Sequence, residues 1–217
     1  MAKNKLKKYA EFSTFNNAHT AEQGERLKGS WNSGFFKNKK PITLELACGK
    51  GEYSVSMAKM FPERNFIGVD LKGDRMWRGA KDALENNLDN VAFLRARIEN
   101  IMDYFAVSEI SEIWITFADP HPSKRRSKKR LTYERFLKLY REILEPRGIL
   151  HLKTDSRLLY DSTLEELASF PSEIITATTD LYKEGLNDPV LEIKTYYERM
   201  FLAQNSKINY LQWRFKL

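Results

Sequence analysis

Three aspartates stand at or just after the ends of short apolar segments of the sequence. Asp70 closes one such segment, Asp119 follows another, and Asp155 lies two residues beyond a third. Apolar runs of this length between turn signals are typical of buried strands. A carboxylate at the end of a strand can accept hydrogen bonds from a ligand or stabilise a positive charge that develops on it. These aspartates are therefore the first candidates for a functional site.

A glycine-containing loop joins the first apolar segment to a helical pattern. Residues 44–51 read Leu-Glu-Leu-Ala-Cys-Gly-Lys-Gly. Gly49 and Gly51 let the backbone turn tightly and approach a ligand, and the N-terminus of the following helix can host a negative group. Asp70 stands nineteen residues after Gly51, which is the spacing of an acid that binds ribose hydroxyls. The loop alone could be an ordinary turn, but the loop and the acid together predict a nucleoside-containing cofactor.

Glu45 distinguishes between two such cofactors. The dinucleotide fingerprint Gly-x-Gly-x-x-Gly is missing, because the chain reads Cys-Gly-Lys-Gly-Glu-Tyr from Cys48 onward. A carboxylate at Glu45 would repel a pyrophosphate but suits a ligand that carries a positive group. S-Adenosyl-L-methionine carries an ammonium and a sulfonium. The sequence therefore favours this methyl donor over NAD.

Strand and helix patterns alternate from residue 41 onward. The predicted strands are 42–47, 65–70, 90–94, 112–118, 148–153, 173–179 and 208–215. The first predicted helix follows the glycine loop and ends near residue 61. The other predicted helices are 74–86, 98–105, 133–144, 156–169 and 195–203. This alternation predicts an α/β fold with a mostly parallel seven-stranded sheet and helices on both faces. Right-handed crossovers place the loops after successive strands at one edge, where ligands of such sheets bind. The glycine loop and the three aspartates should therefore meet there.

The composition is that of a globular chain. Hydrophobic residues make up 42% and charged residues 30%, which is enough apolar material for a core. No apolar run approaches the roughly 20 residues that span a bilayer, and the basic N-terminus lacks the apolar region of a signal peptide. We expect residues 41–217 to form a single domain. Residues 1–40 are expected to be a basic extension that orders only against this domain or a partner.

Cysteine and histidine are too sparse to indicate a metal site. Cys48 is the only cysteine, which excludes an intrachain disulfide and a cysteine-rich zinc site. His121 and His151 are not spaced as metal ligands. We therefore expect no metal and a cytoplasmic location.

Basic residues cluster, although the formal net charge is only +7. Residues 123–130 read Ser-Lys-Arg-Arg-Ser-Lys-Lys-Arg and hold six cations in eight positions, and smaller clusters occupy 3–8 and 37–40. Such runs are often solvated loops, but the largest one directly follows the sequence Asp-Pro-His-Pro that begins at Asp119. We therefore expect it to bind a nucleic-acid backbone.

Taken in order, these motifs resemble a known family. They are 45–51 (Glu-Leu-Ala-Cys-Gly-Lys-Gly), 67–70 (Ile-Gly-Val-Asp), 117–122 (Phe-Ala-Asp-Pro-His-Pro), 130–136 (Arg-Leu-Thr-Tyr-Glu-Arg-Phe), 151–155 (His-Leu-Lys-Thr-Asp) and 194–199 (Lys-Thr-Tyr-Tyr-Glu-Arg). The combination resembles the bacterial tRNA (guanine-N7)-methyltransferases. It implies a Rossmann-like class I methyltransferase fold and S-adenosylmethionine as the cofactor. It also implies tRNA as the partner, with methylation in the variable loop, and a monomer or homodimer away from the membrane.

The resemblance also implies a role for each matching residue. Asp119 is the catalytic candidate and a cofactor contact, and the other cofactor positions are Glu45, Gly49, Gly51, Asp70 and Arg97. The positions implied to bind the substrate are Ser123, Lys124, Asp155, Thr195, Tyr197 and Glu198.

Three departures from the family pattern affect this site. Ala47 stands where the family usually has glycine, and Arg97 stands where an acid or amide usually contacts adenine. Because arginine has no acceptor, we expect Arg97 to stack on the adenine or to contribute a backbone contact. His121 and Ser123 replace the tryptophan and lysine of the usual Asp-Pro-Trp-Pro-Lys. The next cations of the basic run are expected to supply the missing charge.

Guanine N7 has a lone pair and no proton, so catalysis at this atom can be mostly alignment. Methylation leaves a positive charge on the base, which Asp119 would stabilise.

Two other functions stay open. Asp-Pro-His-Pro also resembles the Asp-Pro-Pro-aromatic loop of methyltransferases that modify exocyclic amino groups, and the chain could be a non-catalytic RNA-binding protein on a methyltransferase-like fold. A nicotinamide dehydrogenase is more distant, since the glycine fingerprint is missing.

Overall fold

Eight strands form one sheet in a computed structural model of the chain, which describes residues 2–216. The strands are β1 Ala18–Thr20, β2 Ile42–Leu46, β3 Asn65–Asp70, β4 Val91–Arg95, β5 Ile110–Thr116, β6 Leu144–Thr154, β7 Ser172–Thr178 and β8 Asn209–Phe215. Their spatial order is β1-β4-β3-β2-β5-β6-β8-β7. The pairs from β1 to β6 are parallel, whereas β8 runs antiparallel to both β6 and β7.

Helices cover both faces of this sheet. They are α1 Ala2–Phe12, α2 Ala21–Leu27, α3 Glu52–Met60, α4 Gly73–Glu85, α5 Ile101–Tyr104, α6 Glu134–Ile143, α7 Arg157–Ser169, α8 Leu181–Glu184 and α9 Tyr196–Ala203. Short π-helical or 3₁₀ turns cover Trp31–Phe36, Ile98–Asn100, Lys124–Lys129 and Pro189–Glu192.

Alternating side chains of the strands build two cores. Leu44 and Leu46 of β2 pack with residues of α5, α6 and α7, while Phe93 of β4 and Trp114 of β5 pack with residues of α3 and α4 on the other face. Successive side chains of a strand point to opposite faces, so a strand buried on both faces is apolar almost throughout. The predicted mostly parallel sheet with helices on both faces, in a Rossmann-like arrangement, is confirmed.

The predicted number of strands was wrong by one. The eighth strand, β1, has only three residues and pairs in parallel with β4 at the edge of the sheet. A segment of three residues, Ala-His-Thr, is too short for a periodic pattern to be detected.

Residues 2–40 pack on the rest of the fold. α1 lies against α4, and β1 extends the sheet. Trp31 is completely buried, and its indole N–H donates to the carbonyl oxygen of Tyr104 at 2.9 Å. Among residues 2–216, no helix combines the length and apolar character that crossing a membrane requires.

The strand order creates a candidate ligand-binding edge at the carboxyl ends of the central strands. β2 and β5 are neighbours in the sheet although β3 and β4 lie between them in sequence. The strand order therefore reverses between β2 and β5, which makes this position the topological switch point. The loops after β2, β3, β4 and β5 therefore converge at the switch point, where α/β sheets bind ligands.

Candidate functional site

The loop after β2 has a left-handed backbone at three positions: Ala47 (φ 56°), Gly49 (φ 56°) and Gly51 (φ 70°). Only glycine adopts this conformation without strain. At Gly51 space is also limiting, because a Cβ there would lie 2.4 Å from Cε1 of Phe93. At Gly49 the nearest atom to an added Cβ is the Ala47 carbonyl oxygen at 4.0 Å, so this part of the loop borders open space.

Asp70, at the end of β3, fixes this loop. Its Oδ2 accepts a hydrogen bond from the Gly49 N–H at 3.0 Å, and its Oδ1 accepts one from the Lys72 N–H at 2.9 Å. An ionised carboxylate has about four acceptor positions. Asp70 can therefore hold the loop and still accept bonds from a vicinal diol.

Glu45 is buried beneath the loop, with only 2% of its surface exposed. Its Oε2 accepts from the Ser54 N–H at 2.9 Å and the Ser54 hydroxyl at 2.6 Å, and its Oε1 accepts from the Thr116 hydroxyl at 2.7 Å. Burial raises the pKa of this carboxyl to about 7. Within residues 2–216 no cation forms an ion pair with it, so the local field favours a positively charged ligand.

Two adjoining cavities lie over this edge and share Ala47, Asp70, Ala118 and Asp119. The first, of about 250 Å³, has apolar walls from Leu71, Ile98 and Leu131 and also borders Arg97, His121 and Lys129. The second, of about 340 Å³, is lined mainly by polar groups, including Glu45, Gly49, Lys50, Glu52, Lys72, Arg75 and Thr116. A flat purine suits the first cavity, and a charged amino-acid moiety suits the second. The residues therefore fit S-adenosylmethionine.

Asp119 lies where the two cavities meet and is open to solvent, with 71% of its side chain exposed. Its Oδ1 accepts from the backbone N–H of His121 at 3.0 Å, and the His121 Nδ1 is 3.6 Å from the same oxygen. His121 has a left-handed backbone with φ 41°. The carboxylate therefore shapes its own loop and still presents a charged group to the cavities.

Thr195 and Tyr197 border the second cavity from α9. Thr195 is buried and caps the helix, since its hydroxyl accepts from the Glu198 N–H at 3.2 Å. Tyr197 is exposed. The start of α9 is tied to the glycine loop, because Glu52 at the start of α3 accepts from the Tyr196 N–H at 2.9 Å.

Four predicted substrate residues line neither cavity. They are Ser123, Lys124, Asp155 and Glu198. Ser123 and Lys124 are exposed on the basic run. Asp155 is half-buried after β6, and burial raises the pKa of its carboxyl. The N-cap of α7 is Ser156, whose hydroxyl accepts from the Leu159 N–H at 3.2 Å, so Asp155 does not cap this helix.

Glu198 is completely buried and paired with Lys153 of β6. Its Oε1 lies 2.9 Å from the Lys153 ammonium and accepts from the Tyr182 hydroxyl at 2.5 Å. Its Oε2 is buried and has no hydrogen-bond partner among the described residues. Oε1 of Glu198 is therefore paired within the protein, whereas Oε2 makes no hydrogen bond to any described residue.

Sequence reasoning missed several residues that shape the site. Ser54 and Thr116 hold Glu45, and Arg130 hydrogen-bonds to the loop that carries Asp119. Leu71 directly follows Asp70 in the sequence and lines the first cavity. An apolar residue directly after the predicted ribose-binding acid could have indicated a cavity wall. Arg130 gave no such signal, since it is one of six neighbouring cations.

Comparison with known proteins identifies the family to which the chain is related. A family model described as "Putative methyltransferase" matches residues 39–211. A tRNA (guanine-N(7)-)-methyltransferase of Christiangramia forsetii is 46% identical over 99% of both chains. The enzyme of the same name from Bacteroides thetaiotaomicron is also 46% identical, over 99% of this chain and 86% of its own.

Solved structures share the fold at low sequence identity. The 16S rRNA methyltransferase KamB superposes with a TM-score of 0.64 at 15% identity, over 85% of this chain and 92% of its own. A 16S rRNA (adenine(1408)-N(1))-methyltransferase from Catenulisporales acidiphilia, solved with the cosubstrate SAM, has a TM-score of 0.56 at 14% identity, over 83% of this chain and 88% of its own. Nearly full-length identity to the curated relatives and the shared fold lead to one conclusion: the chain belongs to the tRNA (guanine-N(7)-)-methyltransferase family.

Proposed function

We propose that this chain transfers a methyl group from S-adenosylmethionine to N7 of a guanine in tRNA, within the variable loop. The observation that carries the proposal is the position of Asp119, an exposed carboxylate at the junction of the two cavities. Near-full-length relatives of the same name support the choice of tRNA as substrate. The cytoplasm is the compartment we propose for this reaction.

The bound cofactor would supply a methyl group activated by a sulfonium. Asp70 would accept hydrogen bonds from the ribose hydroxyls, as its two backbone bonds leave acceptor positions unused. Gly49 and Gly51 would let the backbone pass close to the cofactor. Glu45 would favour the amino-acid ammonium through its charge, and Arg97 would stack on the adenine at the rim of the first cavity.

Asp119 would act by electrostatic stabilisation rather than as a base. Guanine N7 has no proton to lose, so its lone pair can attack the methyl carbon directly. The base becomes positive as the new bond forms, and a carboxylate close to it lowers the barrier. Pro120 and Pro122 restrict the loop on either side of His121, which keeps this carboxylate in place.

Guanine would be selected by acceptors that face its N1–H and 2-amino group. Asp155, half-buried after β6, is the candidate, whereas Glu198 is completely buried in its pair with Lys153 and lines neither cavity. Adenine lacks the matching donors, so it would leave these acceptors unpaired. Tyr197 would stack on the splayed base beside Thr195, while Ser123 and Lys124 would contact the RNA backbone.

The test is methyl transfer from labelled S-adenosylmethionine to unmodified tRNA, followed by nucleoside analysis. We expect 7-methylguanosine from the wild type. Asp119→Asn should lower kcat by about 10²–10³-fold with a retained fold, since it removes charge but keeps shape. Label in another nucleoside would favour modification of an exocyclic amino group. Bound tRNA without any transfer would favour a non-catalytic RNA-binding protein.

A further inference from the structure

The loop of residues 119–122 presents the proposed catalytic carboxylate, yet it carries a strained backbone. His121 adopts a left-handed conformation that a non-glycine residue rarely takes, and Asp119 is largely exposed. Such a conformation persists only where surrounding contacts impose it. One contact is internal, from the His121 N–H to Asp119 Oδ1. A second anchor must hold the carbonyl side of the loop.

Arg130 is that anchor. Its Nε donates to the carbonyl oxygen of Pro120 at 3.0 Å, and its Nη2 donates to the carbonyl oxygen of His121 at 3.3 Å. The guanidinium therefore holds two successive carbonyls, while the Asp119 carboxylate holds the N–H between them. Arginine suits this task because its donors form a rigid planar fork, whereas a lysine ammonium is a point charge on a flexible stem.

Arg130 is itself fixed to the body of the protein. Its carbonyl oxygen accepts from the Tyr133 N–H at 3.0 Å. Two residues further on, Thr132 is buried and shares a hydrogen bond of 2.7 Å with Thr163 of α7. The anchor of the loop is therefore part of a rigid layer rather than a mobile surface chain.

The other cations of the basic run behave differently. Lys124, Arg125, Arg126, Lys128 and Lys129 are all exposed, and their side chains make no hydrogen bond or ion pair to any residue between 2 and 216. They are available to neutralise phosphates, whereas the donors of Arg130 are directed inward. Six cations that look equivalent in sequence therefore divide into five facing solvent and one facing the loop.

We infer that Arg130 is a positioning residue of the methyl-transfer step: it holds the loop so that Asp119 faces the base at the cofactor, and it is not primarily a phosphate contact. The inference rests on the proposed function. It assigns different roles to neighbouring residues: the exposed cations provide affinity for RNA, and Arg130 positions Asp119.

The experiment compares Arg130→Met and Arg130→Lys with Lys128→Met, an exposed member of the same run. For each variant we would measure tRNA affinity at several salt concentrations, kcat at saturating tRNA, and thermal unfolding. Lys128→Met should weaken tRNA binding, lower the salt slope by about one, and keep kcat. Arg130→Met should keep the salt slope but lower kcat by about 10²-fold, because small misplacement of a catalytic group is costly. Arg130→Lys keeps the charge and should still lose much of the kcat.

The outcomes separate the two assignments. If Arg130→Met matches Lys128→Met, with a reduced salt slope and full kcat, Arg130 is a phosphate contact and the inference is wrong. Full kcat in Arg130→Lys would also overturn it, since a lysine cannot reproduce the fork. Should Arg130→Met fail to fold, the lysine variant decides the question. Absence of 7-methylguanosine from the wild type would instead refute the proposed function.

Discussion

The ammonium of Lys153 lies 2.9 Å from Oε1 of Glu198, and both side chains are completely buried. Lys153 also donates to the carbonyl oxygens of Leu191 and Ile193, at 2.8 and 3.0 Å. A single residue of β6 thus fixes the segment that leads into α9. This segment positions Thr195 and Tyr197 at the second cavity.

Lys153→Met should lower the free energy of unfolding by about 3–5 kcal/mol, because it leaves a buried carboxylate without its partner. The double variant Lys153→Met/Glu198→Leu removes both charges and should be more stable than the sum of the single changes predicts. Denaturant unfolding of the four proteins measures this coupling. A loss below about 1 kcal/mol in Lys153→Met would show that the pair contributes little.

Ala47→Gly should stabilise the protein. A left-handed backbone costs a non-glycine residue about 1–2 kcal/mol, and the greater freedom of glycine in the unfolded chain offsets about 0.5–1 kcal/mol of the gain. With φ at 56° for Ala47, the net gain should be about 0.5–1 kcal/mol. Ala168→Gly, on the exposed side of α7, is the control and should be destabilising by about 1 kcal/mol. Equal losses in both variants would mean that the strain at Ala47 is relieved by other contacts.

The two glycines of the loop should respond differently to alanine. Gly51→Ala places a Cβ 2.4 Å from the Phe93 ring and should unfold the protein or destabilise it severely. Gly49→Ala meets open space, so it should cost only the strain of the left-handed backbone, about 1–2 kcal/mol. The added methyl would also border the second cavity and should weaken S-adenosylmethionine binding. Thermal unfolding and a cofactor titration separate these effects, and similar stability losses for both variants would contradict the geometry.

Local patterns in the sequence were sufficient to predict the central strands of the sheet and the position of the glycine loop after β2. A parallel strand such as β4 is apolar on both faces, and the left-handed positions Gly49 and Gly51 favour glycine, so neighbouring residues are enough to predict both features. Contacts between distant segments were not predictable. The sequence around Glu198 did not indicate that this residue would be buried in an ion pair with Lys153. Likewise, the sequence did not distinguish Arg130 from the exposed cations beside it.

Glu45 should make stability and cofactor binding depend on pH in opposite directions. Burial raises its pKa from 4.5 to about 7 in the folded chain, so the folded state holds this proton more tightly than the unfolded state. The stabilisation from the neutral form is complete below pH 4.5 and is lost as the pH rises to about 7, a change of about 3 kcal/mol. Over the same range the ionised form grows, and it favours the ammonium of S-adenosylmethionine.

Cofactor affinity should therefore rise from pH 5.5 to 7, by at most about tenfold per pH unit, while the free energy of unfolding falls. Glu45→Gln keeps the shape of the side chain and removes the titration. The difference between wild type and this variant isolates Glu45 from groups such as Glu112. Burial raises the pKa of Glu112, but its contacts with His151, Arg64 and Trp114 together lower it to about 2. Calorimetric titration and denaturant unfolding at several pH values give both quantities. If wild type and Glu45→Gln show parallel pH profiles, Glu45 does not carry the charge that binds the cofactor.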